Sequence, residues 1–216
     1  MDYIETQQQH IRDHWFGNHA VSRIDTHDGD DYPLHRYIWS APGTSLYEVV
    51  YTFSGNMVFV SGDLGDAAYA LTCRATLENI ASFDLHYFTS KLTAHSRAKY
   101  KFDEAYAIEE LTELFCDMCD VSRIGDLRED DRHLYDQLVG AATESSSPEQ
   151  FERAVSEQVD ETSVEWFDSE SAHLVSRFGR RLSGSLIAYW LGLQMLCDQL
   201  DAERRQALQN DEATPS

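Results

Sequence analysis

Carboxylates are the groups in this chain whose number and spacing say most about function. Residues 103–170 contain 21 aspartates and glutamates, four arginines and no lysine, a net charge of −17 out of −21 for the whole chain. Such crowding destabilises a fold through self-repulsion, and its main physical use is to attract cationic surfaces. The sequence therefore predicts a non-enzymatic protein with one strongly anionic face that docks onto a positively charged partner.

The densest carboxylates fall on a predicted helix over residues 103–119. Its apolar residues recur three or four positions apart and predict one buried face: Ile108, Leu111, Phe115 and Met118. Acidic residues recur on the opposite face, and at 1.5 Å per residue their stripe spans about 25 Å. Together with the acids that follow it, the stripe gives the predicted partner-binding set: Asp103, Glu104, Glu110, Glu113, Asp117, Asp120, Asp126, Glu129, Asp130, Asp131 and Asp136.

The acidity could also have three origins that involve no partner. Acids in the first turn of a helix, such as Glu129 and Glu149, are favoured by the helix macrodipole. Others could line a solvated face. A halophilic composition is the third, since the chain has only three lysines, although the 148 residues outside the acidic stretch carry a net charge of only −4.

Two cysteines, Cys116 and Cys119, have the C-x-x-C spacing of a zinc half-site or a redox pair. A structural zinc site needs two further ligands, and no second C-x-x-C occurs. Because the pair lies on a helix with periodic apolar residues, small buried thiols are the simpler interpretation. The sequence predicts no metal, cofactor or catalytic residue.

Two acidic turns support an alternative function, a small metal-dependent hydrolase. One is the turn His27–Asp31, which lacks the spacing of an EF-hand and is also what a strand connection needs. The other is Gly62–Asp66, which offers Asp63 and Asp66 as paired carboxylates but lacks the Lys and Ser/Thr of a phosphate loop. One of these two aspartates is expected to cap the next helix.

The predicted strands lie in the first third of the chain, and most of the predicted helices follow them. Residues 1–16 predict a short helix, and four stretches rich in β-branched and aromatic residues predict strands: 21–26, 34–40, 46–53 and 57–61. On the third strand one face is predicted to carry Tyr47, Val49, Tyr51 and Phe53. Helical spacing follows over 84–94, 103–119, from Ser147 onward, and over about 181–208. We therefore predict an α+β fold, an N-terminal antiparallel sheet of hairpins followed by a mainly helical acidic part.

The predicted domains are a sheet-containing region over 1–100, a helical acidic region over 101–210 that forms one compact unit with it, and a frayed tail over 211–216.

The apolar stretch 186–197 is shorter than the roughly 20 residues of a membrane span. It predicts a buried helix, or an oligomerisation helix if the protein is a structural or assembly component. The polar opening segment and the low number of cysteines, four, predict a cytoplasmic protein with reduced thiols. We expect the protein to be a monomer or a homodimer. Its charge disfavours direct contact with nucleic acid or an anionic membrane.

The stretch Met57–Tyr69, with the sequence MVFVSGDLGDAAY, resembles a recurrent motif in small proteins of bacteriophages and prophages, and the opening Met1–Trp15 is similar to the same group. The resemblance covers the first hundred residues. It implies an inhibitor of bacterial defence, of the anti-CRISPR or antirestriction kind, several of which are acidic DNA mimics. The partner it implies is the basic surface of a host nucleic-acid-binding complex, such as a CRISPR effector, in the host cytoplasm.

Overall fold

The computed structural model describes residues 2–27, 33–159 and 162–212. The chain forms two compact units: unit 1 comprises residues 1–99 and 184–216, and unit 2 comprises residues 100–183. The predicted α+β class is confirmed, since an antiparallel six-stranded sheet is followed by a mostly helical part.

Strands and helices are each numbered by their position along the chain. The strands are Ala20–His27 (β1), Leu34–Ser40 (β2), Val49–Ser54 (β3), Met57–Gly62 (β4), Ala67–Ala70 (β5), Leu92–His95 (β6), Tyr100–Phe102 (β7) and Arg180–Leu182 (β8). The helices are Tyr3–His10 (α1), Leu77–Ala81 (α2), Leu85–Ser90 (α3), Glu104–Cys119 (α4), Glu129–Glu144 (α5), Pro148–Val159 (α6), Ser169–Val175 (α7) and Gly184–Glu212 (α8). A π-helical turn over Ile11–Trp15 continues α1.

Unit 1 is a meander in which each of the strands β1 to β5 pairs antiparallel with the next one. Strands β3 and β4 form a hairpin of the kind predicted for this sheet, and Gly55 in its turn has a φ of +60°, which glycine adopts without strain. Alternation places Val49, Tyr51 and Phe53 in the core, each at most 1% exposed. The remaining member of that predicted face, Tyr47, lies before β3 with a φ of +58°, so its assignment to the strand was wrong.

Helix α8 supplies much of the core of unit 1. Its apolar stretch is buried, with Leu186, Ile187 and Leu193 fully inaccessible to solvent. The helix begins at Gly184, later than predicted, because residues 180–182 form β8 instead. The predicted domain division is corrected here as well: α8 belongs to unit 1, and its backbone continues through positions 211 and 212 of the predicted tail.

Unit 2 consists of the two-stranded ribbon β7–β8 and the helices α4 to α7. Its own hydrophobic core draws on every one of these helices: Ala107, Leu111, Phe115, Leu134, Leu138, Ala142, Phe151, Val155, Val164, Phe167, Ala172 and Val175. Helix α6 begins as predicted, because the Ser147 hydroxyl accepts a hydrogen bond from the backbone N–H of Gln150 at 3.3 Å.

Two details of the predicted helices are wrong. Met118, assigned to the buried face of α4, is 48% exposed, and Ala107 is buried in that row instead. The predicted helix over 84–94 ends at Ser90, and Leu92 lies in β6. Asp84 does cap that helix, since its carboxylate accepts a hydrogen bond from the N–H of Tyr87 at 2.6 Å.

Candidate functional site

Helix α4 carries the candidate site, and its sequence explains where it starts and stops. Asp103 is its N-cap, and the carboxylate accepts a hydrogen bond from the backbone N–H of Tyr106 at 3.1 Å. The row of Ala107, Leu111 and Phe115 is fully buried and fixes the rotation of the helix. The helix ends at Asp120, whose φ of +52° is a left-handed conformation that Asp tolerates better than most residues.

The outward side of α4 carries the carboxylates of Glu109, Glu113 and Asp117, which we call the α4 acidic face. Each of them stands two residues, or about 200° of helix rotation, after a member of the buried row. All three are exposed, and among the described residues none has a Lys or Arg nitrogen within 4 Å. Glu109 was absent from the predicted set, because the sequence stripe took Asp103 and Glu110 as its reference instead of the buried row.

This arrangement destabilises α4. Like charges four residues apart on an isolated helix are unfavourable by about 0.2–0.5 kcal/mol per pair. Asp117 lies in the last turn, where the macrodipole favours cations, and that turn contains no basic residue. Neither capping nor pairing therefore explains the α4 acidic face.

Four other members of the predicted set are held in place inside unit 2. Glu110 accepts a hydrogen bond from the N–H of Gly179 at 2.7 Å. The remaining three have an arginine partner: Asp103 with Arg181 at 3.4 Å, Asp126 with Arg123 at 2.9 Å, and Asp136 with Arg132 at 3.1 Å. Glu110 and Asp103 are thereby tied to residues 179 and 181 of unit 2, whereas Asp126 and Asp136 form exposed pairs with arginines three and four residues away.

Asp131 is placed differently from its prediction as a partner-binding residue. It is 1% exposed, and its carboxylate accepts hydrogen bonds from the Trp166 indole Nε1 at 3.1 Å and from Arg128 Nε at 3.0 Å. Because Asp131 follows Glu129 and Asp130, the sequence suggested that all three are exposed. Asp131 instead lies on the same buried face of α5 as Leu134 and Leu138. Asp131 is therefore a buried structural group.

The last four members of the predicted set outside the α4 acidic face are exposed at helix ends. Glu104 lies in the first turn of α4, and Glu129 and Asp130 lie in the first turn of α5, where the macrodipole accounts for acids. Asp120, the C-cap of α4, follows Asp117 by three residues and lies beyond the α4 acidic face.

The two cysteines of the C-x-x-C pair are free and partly exposed. Burial, followed by the negative charge of Asp131, raises the pKa of the Cys119 thiol, which keeps it protonated at neutral pH. Within the described part of the chain, no three or more His, Cys, Asp or Glu side chains converge as metal ligands do.

The two aspartates of the alternative hydrolase site have different hydrogen-bond partners. Asp63 accepts a hydrogen bond from the backbone N–H of Tyr47 at 2.8 Å, which holds Tyr47 in its left-handed conformation. Asp66 precedes β5, and its own N–H donates to Ser96 Oγ at 2.8 Å. Neither caps a helix as predicted: the next helix, α2, is capped by Thr76. Residues 28–31 of the other acidic turn lie outside the described residues.

Comparison with known proteins yields no relative: no protein-family model, curated protein or solved structure matches this chain. No helix within the described ranges is both long and apolar enough to cross a membrane.

Proposed function

We propose that this protein is a phage-type, non-enzymatic inhibitor that binds a basic surface of a host nucleic-acid-binding defence complex, such as a CRISPR effector, through unit 2. The observation that carries the proposal is the α4 acidic face, three exposed carboxylates that no cation of the described residues neutralises. These carboxylates lower the stability of their own helix. Favourable electrostatic binding to a cationic partner would explain why the chain carries them.

The proposed mechanism is competition with nucleic acid. Successive carboxylates at four-residue spacing rise about 6 Å along the helix axis. One strand of a duplex carries a phosphate about every 3.4 Å, so the face offers roughly half that linear charge density. Lys and Arg side chains that normally hold a phosphate backbone would instead bind Glu109, Glu113 and Asp117. Association would be accelerated by the opposite charges and would weaken with salt.

A charge-matched pair of variants tests this function. The face variant is Glu109→Gln/Glu113→Gln/Asp117→Asn. The control variant removes the same number of charges from exposed acids elsewhere in unit 2, Glu144→Gln/Glu157→Gln/Glu165→Gln. Glu110 is kept in both, since replacing it would remove the hydrogen bond to Gly179.

Each protein is immobilised and used to capture complexes from a bacterial lysate at low and at high salt, and the captured complex is assayed for binding to labelled DNA. We expect the wild type and the control to capture a DNA-binding complex at low salt and to inhibit its DNA binding, while the face variant does neither. Equal inhibition by the face variant would reject the proposal.

The two alternative functions have less support. The hydrolase alternative needs converging carboxylates, whereas Asp63 bonds to the backbone of Tyr47. The assembly alternative needs an exposed apolar helix, whereas the stretch 186–197 of α8 contributes Leu186, Ile187 and Leu193 to the core of unit 1.

A further inference from the structure

A concave pocket of about 270 Å³ opens on unit 1, and it has no part in the proposed function. The pocket is lined by β2 and the residue before it, by β3 and the turn after it, by the loop before α2 and the first turn of α2, and by α8. Its floor is aromatic, with the rings of Tyr37 and Phe53 tilted against each other at a centroid distance of 5.3 Å. Pockets with an apolar floor and a few polar groups are the usual form of small-molecule sites.

The hydroxyl of Tyr37 is the first sign that the pocket is built for a ligand. Tyr37 is only 8% exposed and lines the pocket, yet its hydroxyl has no hydrogen-bond partner among the described residues. The hydroxyl atom itself is not sealed from solvent, so it opens onto the pocket, where a ligand can reach it. Burial raises the pKa of Tyr37, so the phenol stays protonated at neutral pH and can donate to an acceptor.

Cationic groups at the rim of the pocket are the second sign. Arg74 is exposed and has no carboxylate within 4 Å in the described part of the chain. Arg204 reaches Glu78 at 3.8 Å and Asp201 at 3.5 Å, both longer than the roughly 2.7–2.9 Å of a strong charged hydrogen bond. The rim therefore has guanidinium hydrogen-bond capacity to spare.

A third polar group is the imidazole of His35. One ring nitrogen, Nδ1, lies 3.3 Å from the hydroxyl of Thr26. The other, Nε2, has no partner among the residues that the structure describes, and His35 lines the pocket beside Tyr37. His35 Nε2 donates or accepts according to the tautomer of the ring. The Tyr37 hydroxyl and the Arg74 guanidinium are donors in either case, which fits a ligand rich in acceptor oxygens.

We infer that the pocket binds a small planar organic anion, an aromatic or heteroaromatic ring that carries a phosphate or carboxylate group. The ring lies on Phe53 and Tyr37. The anionic oxygens accept hydrogen bonds from Arg74, from the Tyr37 hydroxyl and from Arg204. Glu78, the one carboxylate that lines the described pocket, keeps its contact with Arg204, and this contact offsets part of its repulsion of the anion.

Titration calorimetry with four probes tests the inference on the full chain. Phenyl phosphate and benzoate carry both the ring and the anion, inorganic phosphate lacks the ring, and benzyl alcohol lacks the charge. We expect at least one of the two ring anions to bind, with the better one identifying the preferred anionic group, and we expect the other two probes to bind much more weakly. Failure of both ring anions to bind would overturn the inference, and so would inorganic phosphate binding as tightly as phenyl phosphate.

Variants then locate the site. Arg74→Gln removes a charged donor and should weaken binding of the ring anion by about tenfold or more. Tyr37→Phe keeps the ring and removes only the hydroxyl, and should also weaken binding. Arg205→Gln is the matched control, an exposed arginine next to Arg204 that does not line the pocket, and should leave the affinity unchanged. Unaltered binding by both Arg74→Gln and Tyr37→Phe would show that the anion binds elsewhere.

Discussion

The hydroxyl of Tyr51 on β3 donates a hydrogen bond to the backbone carbonyl of Tyr189 on α8 at 3.0 Å, so the buried centre of the sheet is tied directly to the final helix. Gly192, about one turn further along α8, makes room for this contact. A Cβ atom at position 192 would collide with the Tyr51 hydroxyl and would lie 3.2 Å from the ring of Phe16.

Replacing Gly192 by alanine should therefore destabilise unit 1, although alanine is the better helix former. Overpacking of this kind lowers the free energy of unfolding by about 1–3 kcal/mol. Gly140→Ala on α5 is the control, because a methyl group there would meet no neighbouring side chain within 4 Å, and it should raise stability by up to about 1 kcal/mol. Chemical denaturation of both variants gives the comparison, and a stabilised Gly192→Ala would contradict the role assigned to the Tyr51 hydroxyl.

Replacing Asp63 should lower the stability of the protein more than replacing Asp66 does. Asp63→Ala removes the acceptor that holds the N–H of Tyr47, so it should lower the free energy of unfolding by about 1 kcal/mol. Asp66→Ala leaves the backbone bond to Ser96 in place and should change stability by less than about 0.5 kcal/mol. Equal destabilisation by the two variants would show that the carboxylate of Asp63 has no special part in the Tyr47 conformation.

Asp131 should be the most sensitive carboxylate of unit 2. Asp131→Ala leaves the indole N–H of the partly buried Trp166 without its acceptor, which should lower the free energy of unfolding by about 2 kcal/mol. The neighbouring Asp130 is exposed, and Asp130→Ala should cost far less. Denaturation followed by the fluorescence of the tryptophans measures both, and a negligible loss for Asp131→Ala would argue against its structural role.

Neutralising the α4 acidic face should make unit 2 more stable, the opposite of its expected effect on binding. The variant Glu109→Gln/Glu113→Gln/Asp117→Asn removes two like-charged pairs at four-residue spacing, a gain of about 0.5–1 kcal/mol at low salt. The gain should shrink as salt screens the charges. Thermal or chemical denaturation at two ionic strengths measures it, and a destabilised variant would mean that these carboxylates serve the fold.

His19 should make stability depend on pH in the weakly acidic range. Burial lowers its pKa below the ordinary 6.5, while its Nε2 lies 3.2 Å from the carbonyl of Tyr47. The unfolded chain therefore binds a proton more readily than the folded one as the pH falls below 6.5, and the contribution of His19 to stability declines in that window. The decline should be smaller in His19→Gln than in the wild type. An NMR titration that places the pKa of His19 above 6.5 would contradict this sign.

Alternation and helical periodicity predicted most of the elements, because long segments repeat their burial pattern several times. Strands β2 and β4 were found within one residue of their ends, and Asp103 was correctly placed at the start of α4. Strands of three or four residues, such as β6, repeat the pattern too few times to be seen. The left-handed Tyr47 was missed because it depends on Asp63, which is distant in sequence.

The acidic helix α4 and its charge were predicted from the sequence, but the residues on its exposed face were predicted only in part. Periodicity and composition indicated the helix and its charge, but the rotation of α4 depends on the buried row beginning at Ala107, a small residue with little hydrophobic signal. For the same reason Glu109 was missed and Glu110 was included. The burial of Asp131 depends on Trp166, 35 residues away, and no local pattern indicates that contact.

Unit 2 interrupts unit 1 along the chain, because residues 100–183 lie between β6 and α8. During synthesis on the ribosome the first 99 residues therefore emerge without the helix that fills their core, and they must wait until α8 has been translated. The inserted unit has its complete core by then and can fold first. The first and last strands of unit 2, β7 and β8, pair with each other, so the points at which the chain enters and leaves the unit are adjacent. A genetic deletion of residues 100–183 can therefore be closed with a short linker.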